Sequence, residues 1–339
     1  MIPVQVERAV YGMVVTPAVH LADKHGMFAE LVAAGPLSGT ELAERISADP
    51  DTVERLLLVL TGADLLRRDD AGRFVIDPAA QPYLDSGNPQ YIGGFVTHIV
   101  EVASGQLDRL EQYLQKGKAV VEADLPEPYE RFYDDETSTK DFMDAMWSLS
   151  YGVSRELVAL AGLDGHRTLV DVGGANAPFA TAALEQYPQL EAVVFDLPPV
   201  GPHVHRTAQR HQLTARLSFV AGDFFRDELP KADVIAMGYV MSNWPDAECR
   251  ELVENAYRNC AAGGRILIMD RLFEPGKEGP LATSVMNLTM QVETHGVHRT
   301  EAEFAALLTA AGFVDIDVHR SSMDKHLVVG RKGQDASVD

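Results

Sequence analysis

Seven short runs rich in β-branched and apolar residues follow residue 165 and alternate with segments of helical character. These candidate strands cover residues 168–172, 192–196, 217–220, 233–237, 265–270, 315–320 and 325–331. The first five are far enough apart for a helix between each pair, and such crossovers give a mostly parallel sheet. The last two are too close for a crossover, so we expect an antiparallel hairpin. The pattern predicts an α/β fold with helices on both faces of one seven-stranded sheet.

The first third of the chain has a different character, with helical patterns followed by a small hairpin. Residues 17–33 carry apolar positions at helical spacing, Ser38 and Asp49 are in helix-capping contexts, and residues 65–76 indicate strand, turn and strand. This order is that of a winged helix. The candidate recognition helix, residues 51–60, has one arginine, two acids and an apolar second half, so we expect it to pack against a second copy rather than read DNA.

Charge and composition exclude several classes of function. The chain has 29 Lys and Arg against 50 Asp and Glu, a formal charge of −21, which disfavours nucleic acid and anionic membranes as partners. Cys249 and Cys260 cannot build a disulfide framework, and no Cys/His spacing predicts a metal site. No apolar run is long enough for a membrane span, and the N-terminus lacks the features of a signal peptide, so we expect a cytoplasmic protein.

Three motifs fall at the ends of three successive predicted strands. Residues 169–178 read LVDVGGANAP, a strand followed by a Gly-Gly turn and a helix, where a ligand can approach the backbone closely. Asp196 ends the second strand, where a carboxylate can accept both hydroxyls of a ribose. Asp223 and Phe224 follow the third strand and suit an adenine ring. Neither a dinucleotide fingerprint nor a Walker lysine is present, so the pattern favours another adenosine-containing ligand.

With these motifs in view, the chain resembles S-adenosylmethionine-dependent small-molecule O-methyltransferases of bacteria and plants that carry an N-terminal winged-helix dimerisation domain. The resemblance is carried by DVGG (171–174), FDLP (195–198), AGDFF (221–225), SNWPD (242–246) and HRTEAEFAALLTAAGF (298–313), and it covers nearly the whole chain. It implies a Rossmann-like methyltransferase sheet, S-adenosylmethionine as cofactor and a homodimer. We expect a winged-helix dimerisation domain at 1–105, a helical linker at 106–160 and a cofactor-binding domain at 161–339.

The resemblance also implies a set of cofactor-binding residues. They are Asp171, Gly173, Gly174, Asp196, Leu197, Asp223, Phe224 and Gly238. Where the family usually has GGGxG, this chain has Ala175 and Ala177 in place of two glycines, a change expected to narrow the pocket or to shift the turn.

The chain departs from the family at the position of the catalytic base. The family's histidine, which takes a proton from the substrate hydroxyl, is replaced by Ser242, and a serine without a partner is no base near neutral pH. Asp270 and His298 stand where the family often has glutamates. The candidate catalytic residues are therefore Ser242, Asn243, Asp270, His295 and His298.

Four accounts of the missing histidine remain open. In the first, the base has moved to His298 or His295. In the second, no base is needed, because an acidic phenol is methylated by proximity alone. In the third the acceptor atom is carbon or nitrogen, and in the fourth the protein keeps its cofactor and catalyses a non-methylating reaction of hydroxylation or pericyclic type. The leading function is methyl transfer to a small aromatic or polyketide-like metabolite in bacterial natural product biosynthesis. Outside enzymes, a ligand-sensing winged-helix regulator is the alternative.

A pocket for a flat apolar substrate is expected between the sheet and the helical segments. Methionines suit such a pocket because they adapt to different shapes. The candidate substrate-binding residues are His98, Met143, Met146, Trp147, Met241, Met286 and Met290. An apolar stripe such as the one that holds Met143, Met146 and Trp147 is more often core than pocket, and a buried histidine such as His98 is more often structural.

Overall fold

The structure is a computed structural model that describes residues 2–334 except residues 124 and 126. The chain forms two compact units, Met1–Gly105 and Gln106–Asp339. The further division of the second unit at residue 160 stays a prediction. Within the described part of the chain, no helix is long and apolar enough to cross a membrane.

The N-terminal unit consists of helices and one hairpin. Its elements are α1 (Val4–Lys24), α2 (Met27–Ala34), α3 (Gly39–Ile46), α4 (Pro50–Gly62), β1 (Leu66–Arg68), β2 (Phe74–Ile76), α5 (Gln81–Leu84), α6 (Gly93–His98) and a π-helical turn (Ile99–Ala103). The antiparallel pairing of Leu66 with Ile76 confirms the predicted hairpin.

Local side-chain chemistry sets the helix boundaries in this unit. Ser38 and Glu41 form a capping box at the start of α3, and the Asp49 carboxylate accepts from the Thr52 amide at the start of α4. The helical spacing predicted over 17–33 falls on two helices, because α1 ends at Lys24 and α2 begins at Met27. Gly26 lies between them with φ 74°, a left-handed conformation that ends a right-handed helix.

The second unit contains the sheet. Helix α7 (Ser104–Leu107) spans the boundary, and the elements that follow are α8 (Leu110–Lys116), α9 (Lys118–Val121), α10 (Pro128–Phe132), α11 (Glu136–Ala161), β3 (Thr168–Val172), α12 (Pro178–Gln186), β4 (Glu191–Asp196), α13 (Gly201–Arg210), β5 (Leu217–Ala221), β6 (Ala232–Gly238), α14 (Asp246–Asn259), β7 (Cys260–Asp270), β8 (Leu272–Phe273), α15 (Leu281–Glu293), β9 (Arg299–Thr300), α16 (Glu301–Ala311), β10 (Val314–His319) and β11 (His326–Arg331). Short 3₁₀ turns lie at Pro198–Val200, Met241–Asn243 and Pro275–Lys277.

The seven-stranded sheet has the order β10-β11-β7-β6-β3-β4-β5. The five strands from β3 to β7 are parallel, and β11 pairs antiparallel with both β7 and β10, so the predicted fold class is confirmed. Alternate residues face opposite sides, since Leu169 belongs to one buried apolar cluster and Val170 to the other. The pair β8 and β9 was not predicted, because two residues are too few to show a periodicity.

The topology brings distant segments to one edge of the sheet. The carboxyl ends of parallel strands share an edge, and ligands bind beyond that edge in open α/β sheets. Because β11 runs antiparallel, with His326 paired to Asp270, its beginning lies at this same edge. Residues just before β11 can therefore reach a site made by the ends of β3 to β6.

Candidate active site

A cavity of about 540 Å³ lies beyond the ends of β3, β4, β5 and β6. Its volume is in the range of small-molecule sites. Its wall is formed by Glu127, Pro128, Tyr129, Glu130, Tyr133, Phe142, Met146, Ser150, Asp171, Gly173, Gly174, Ala175, Pro178, Phe179, Asp196, Leu197, Pro198, Pro199, Gly222, Asp223, Phe224, Phe225, Arg226, Gly238, Tyr239, Val240, Asn243, Trp244 and Lys325. All eight cofactor-binding candidates lie in this wall.

The turn after β3 keeps a glycine-type backbone although two of its positions are alanines. Ala175 has φ 50° and Ala177 has φ 68°, both left-handed, and the Ala177 amide donates to the Gly174 carbonyl over 2.9 Å. Left-handed backbone costs an L-residue roughly 1–2 kcal/mol. Ala175 lines the cavity, whereas the Ala177 methyl is fully buried in the core. The alanines therefore preserve the left-handed turn, at a cost in strain.

Asp196 presents a buried carboxylate to the cavity at the end of β4. Its Oδ2 accepts from the Ala175 amide over 2.9 Å, and its Oδ1 accepts from the Leu197 amide over 2.7 Å. Burial raises the pKa of Asp196 to about 6, and these two hydrogen bonds limit the rise. The group is a carboxylate at neutral pH, held in place with lone pairs left to accept hydroxyl donors.

The next strand end supplies an acid and an aromatic ring. Asp223 accepts from the Phe225 amide and forms an ion pair with Arg226 at 3.3 Å, with about a third of its side chain exposed. The Phe224 ring lies edge-on to Trp244, with centroids 6.1 Å apart, and lines the cavity. This corner offers an apolar face beside a hydrogen-bond acceptor.

Opposite these strand ends, aromatic side chains form a wall that sequence reasoning did not single out. Tyr129 stacks on Trp244 with ring centroids 5.7 Å apart, and Tyr133 lies edge-on to Phe142 at 5.9 Å. Burial raises the pKa of both tyrosines above the usual value, so their hydroxyls stay protonated. The clustered aromatics of residues 129–133 were the available signal, but only the fold shows which cavity they face.

Of the catalytic candidates, Asn243 lines the cavity. Its side-chain amide donates to the Tyr129 hydroxyl over 2.8 Å and to the Tyr239 carbonyl over 2.7 Å, so it fixes one tyrosine of the aromatic wall. Among the described residues, the cavity wall contains no histidine.

The other catalytic candidates lie outside the wall. Ser242, Asp270 and His298 are buried together: the Ser242 amide donates to Asp270 over 3.2 Å, and His298 Nδ1 lies 3.3 Å from Asp270 Oδ1. Burial raises the pKa of Asp270, but its contacts with His298 and Ser242 outweigh this effect and hold that pKa below the usual value. His295 is partly exposed, and its Nε2 lies 3.2 Å from Glu127 Oε2.

The substrate-binding candidates separate into several environments. Met146 lines the cavity, whereas Met143 is fully buried in the core and Trp147 stacks on Tyr151 at 4.4 Å. The remaining candidates in this unit lie outside the described wall; they are Met241, Met286 and Met290. His98 is buried within the N-terminal unit at the end of α6, and its role stays a prediction.

Sequence reasoning also missed two neighbours in the wall, Tyr239 and Lys325. Tyr239 has φ 56°, a left-handed conformation that is rare for an aromatic residue. Lys325 is 1% exposed although it carries an ionisable amine. The sequence placed it as the first residue of the predicted strand 325–331, and that position gave no sign that it lines a cavity.

Comparison with known proteins identifies the family. A model of the O-methyltransferase domain matches residues 110–314, and a model of the O-methyltransferase dimerisation domain matches residues 8–86. The N,N-dimethyltransferase OxyT of Streptomyces rimosus is 30% identical over 304 residues, covering 87% of this chain and 86% of the relative. The tetracenomycin polyketide synthesis 8-O-methyl transferase TcmO of Streptomyces glaucescens is 28% identical over 305 residues, covering 89% of each.

A solved structure agrees over the same length. Human N-acetylserotonin methyltransferase in complex with SAM superposes with a TM-score of 0.87 at 26% identity, covering 97% of each chain. With two family models that together span most of the sequence, relatives matched along most of their length and a shared architecture, the chain belongs to the O-methyltransferase family.

Proposed function

We propose that this enzyme transfers the methyl group of S-adenosylmethionine to a small, flat, aromatic or polyketide-like metabolite. One observation carries the proposal: a single cavity joins the polar strand ends at Asp196 and Asp223 to an aromatic wall that includes Tyr129 and Trp244. The polar strand ends suit an adenosine, and the aromatic wall suits a planar acceptor lying face to face with a ring.

The residues present fit the cofactor. The Asp196 carboxylate is fixed by two backbone amides and can accept from the ribose hydroxyls, as acids at this strand end do in other doubly wound folds. Phe224 offers a ring face and Asp223 an acceptor for an adenine. S-adenosylmethionine, when bound, supplies an electrophilic methyl group on a sulfonium.

The wall supports methylation without a histidine base. It contains no histidine among the described residues, and His298 is buried against Asp270. The pKa of each wall tyrosine is raised, which makes Tyr129 and Tyr133 poor proton acceptors. The chain's contribution is then to orient the acceptor and exclude water, and an acidic phenol or enol loses its proton before transfer.

The test is transfer of a labelled methyl group to a panel of phenols whose acidities differ. The proposal predicts a pH–rate profile whose rising limb follows the pKa of each phenol. A limb that stays at one pH for every phenol would instead identify a base in the protein. The candidates would then be His298, His295 and the titratable groups of the wall, Asp171 and Lys325, and variants at each position would separate them.

The same panel decides between acceptor atoms. Amines and enols are included because one relative is named as an N,N-dimethyltransferase. A methyl group on carbon or nitrogen would change the acceptor and leave methyl transfer intact. If the cofactor binds and no acceptor is methylated, the non-methylating alternative takes the place of this proposal.

We also propose that two copies associate through the N-terminal unit. Support comes from the matched dimerisation domain and from apolar side chains left exposed on α1, among them Val10, Met13 and Val14. Light scattering coupled to size-exclusion chromatography should give twice the chain mass of 37.0 kDa. Met13→Asp should shift that mass toward the monomer, and an unchanged dimer would place the interface elsewhere.

A further inference from the structure

Lys325 is a buried cation in the cavity wall with no acidic partner among the described residues. Its side chain is 1% exposed, and its Nζ lies 3.9 Å from the centroid of the Tyr239 ring. Nζ also donates to the Ser150 hydroxyl over 3.2 Å. An ammonium carries three N–H donors, and a buried charge that lacks acceptors is strongly disfavoured. Burial lowers the pKa of Lys325 to about 8, against the opposing effect of nearby carboxylates.

The carboxylates near Lys325 have other partners. Asp324 pairs with Arg271 at 2.7 Å, and Asp270 lies against His298 at 3.3 Å. Asp171 accepts from the Ala180 amide over 3.2 Å. Within the part of the chain that the structure describes, no acid forms an ion pair with Lys325. The cavity is where its remaining donors can find an acceptor.

The backbone makes room for this ammonium. A Cβ on Gly238, at the end of β6, would lie 3.1 Å from Lys325 Nζ, so tight a contact that the ammonium would have to shift by a few tenths of an ångström. Lys325 immediately precedes β11. Its side chain extends past the end of β7 and occupies the space beside Gly238, which has no side chain. The cation is therefore placed beside the turn that follows β3.

The strand order gives the position of the ammonium relative to the ligand. Along this edge, Asp223 and Phe224 lie at β5, Asp196 at β4, the Gly-Gly turn at β3 and Gly238 at β6. Three strand spacings separate β5 from β6, roughly 14 Å. A cofactor that binds across these strand ends, with its adenine at β5 and its ribose at β4, therefore has its amino-acid end near β3 and β6, the next strands in the order.

We propose that Lys325 binds the carboxylate of the cofactor's methionine moiety, with Ser150 and Gly238 holding the ammonium in position. This inference rests on the proposed function and adds a specificity-determining residue to it. The carboxylate is the one anionic group of the cofactor, and its sulfonium and ammonium groups are repelled by Lys325. The lysine thus fixes which end of the cofactor enters this part of the cavity.

Binding by titration calorimetry tests this without turnover. Two ligands are compared, S-adenosylhomocysteine and S-adenosyl-3-thiopropylamine, which lacks only the carboxylate. Each is titrated into the wild-type chain, Lys325→Met and Lys231→Met. The last is a matched control, since Lys231 is exposed and precedes β6 at the opposite edge of the sheet. If Lys325→Met does not fold, Lys325→Gln takes its place under the same criteria.

We expect Lys325→Met to weaken S-adenosylhomocysteine binding by about 10- to 100-fold, as for a charge-assisted hydrogen bond. Binding of the decarboxylated ligand should change by less than about threefold, and Lys231→Met should resemble the wild type for both ligands. An equal effect of Lys325→Met on both ligands, or no effect on either, overturns the assignment. If the wild-type chain binds neither ligand, the proposed function itself fails.

Discussion

Removing the Asp196 carboxylate tests the ribose end of the cavity. In the free protein this group accepts two backbone hydrogen bonds, from Ala175 over 2.9 Å and from Leu197 over 2.7 Å. Its remaining lone pairs are free to accept further hydrogen bonds, and we expect the ribose hydroxyls to donate them. Asp196→Ala removes those ligand hydrogen bonds and leaves two amides without their acceptor.

The expected loss of cofactor-binding free energy in Asp196→Ala follows from two opposing effects. Hydrogen bonds to a charged group are worth about 1.5–3 kcal/mol each. Against this, the cofactor displaces water from the cavity face of the Asp196 carboxylate when it binds, and the substitution removes that desolvation cost. We therefore expect Asp196→Ala to weaken cofactor binding by about 1–3 kcal/mol, roughly 5- to 150-fold.

Calorimetric titration with S-adenosylhomocysteine is the assay, and Asp223→Ala is the matched control. Asp223 is more exposed and already paired with Arg226, so its removal should cost less than that of Asp196. Protonation of Asp196 should also weaken wild-type binding as the pH falls below about 6, whereas Asp196→Ala should not show this step. An affinity of Asp196→Ala for S-adenosylhomocysteine within twofold of the wild type would show that Asp196 does not bind the ribose hydroxyls.

Further predictions concern groups whose ionisation is set by burial. Burial raises the pKa of Asp171 to about 7, so the cost of burying its charge is absent below about pH 4 and complete above pH 7. The free energy of unfolding of Asp171→Asn, relative to that of the wild type, should therefore rise by on the order of 2–4 kcal/mol as the pH increases from about 4 to 7. A difference in chemical denaturation that does not depend on pH would contradict this. Burial raises the pKa of Cys249 to about 12 and that of Cys260 to about 11, so neither thiol should react with iodoacetamide in the folded protein at pH 8; rapid labelling detected by mass spectrometry would be inconsistent with that burial. His298→Gln should lower stability by about 1–3 kcal/mol because it disturbs the contact with Asp270, and should leave the pH profile of turnover unchanged; loss of a limb of that profile would show that His298 is the base.

The sheet and the polar strand ends could be predicted because they depend on local pattern and topology. Short apolar runs separated by helices predict parallel strands, and parallel strands bring Asp196 and Asp223 to one edge regardless of side-chain detail. The antiparallel hairpin followed from the short distance between its two strands.

The residues that sequence reasoning missed depend on contacts between distant segments. Lys325 reaches the cavity because an antiparallel strand begins at that edge and because Gly238, 87 positions earlier, leaves space for it. Tyr129 belongs to the cavity through its contacts with Asn243 and Trp244. No periodicity in the sequence encodes either arrangement. The left-handed backbone at Ala175 was also missed, because alanine does not favour it.

A crystal structure of the chain with S-adenosylhomocysteine would show whether the cavity beyond β3 to β6 binds the cofactor. We expect the ribose hydroxyls within hydrogen-bond distance of the Asp196 carboxylate, the adenine against Phe224 and the amino-acid end beside the turn after β3. Density for the ligand outside this cavity, or a ribose without contact to Asp196, would contradict this expectation.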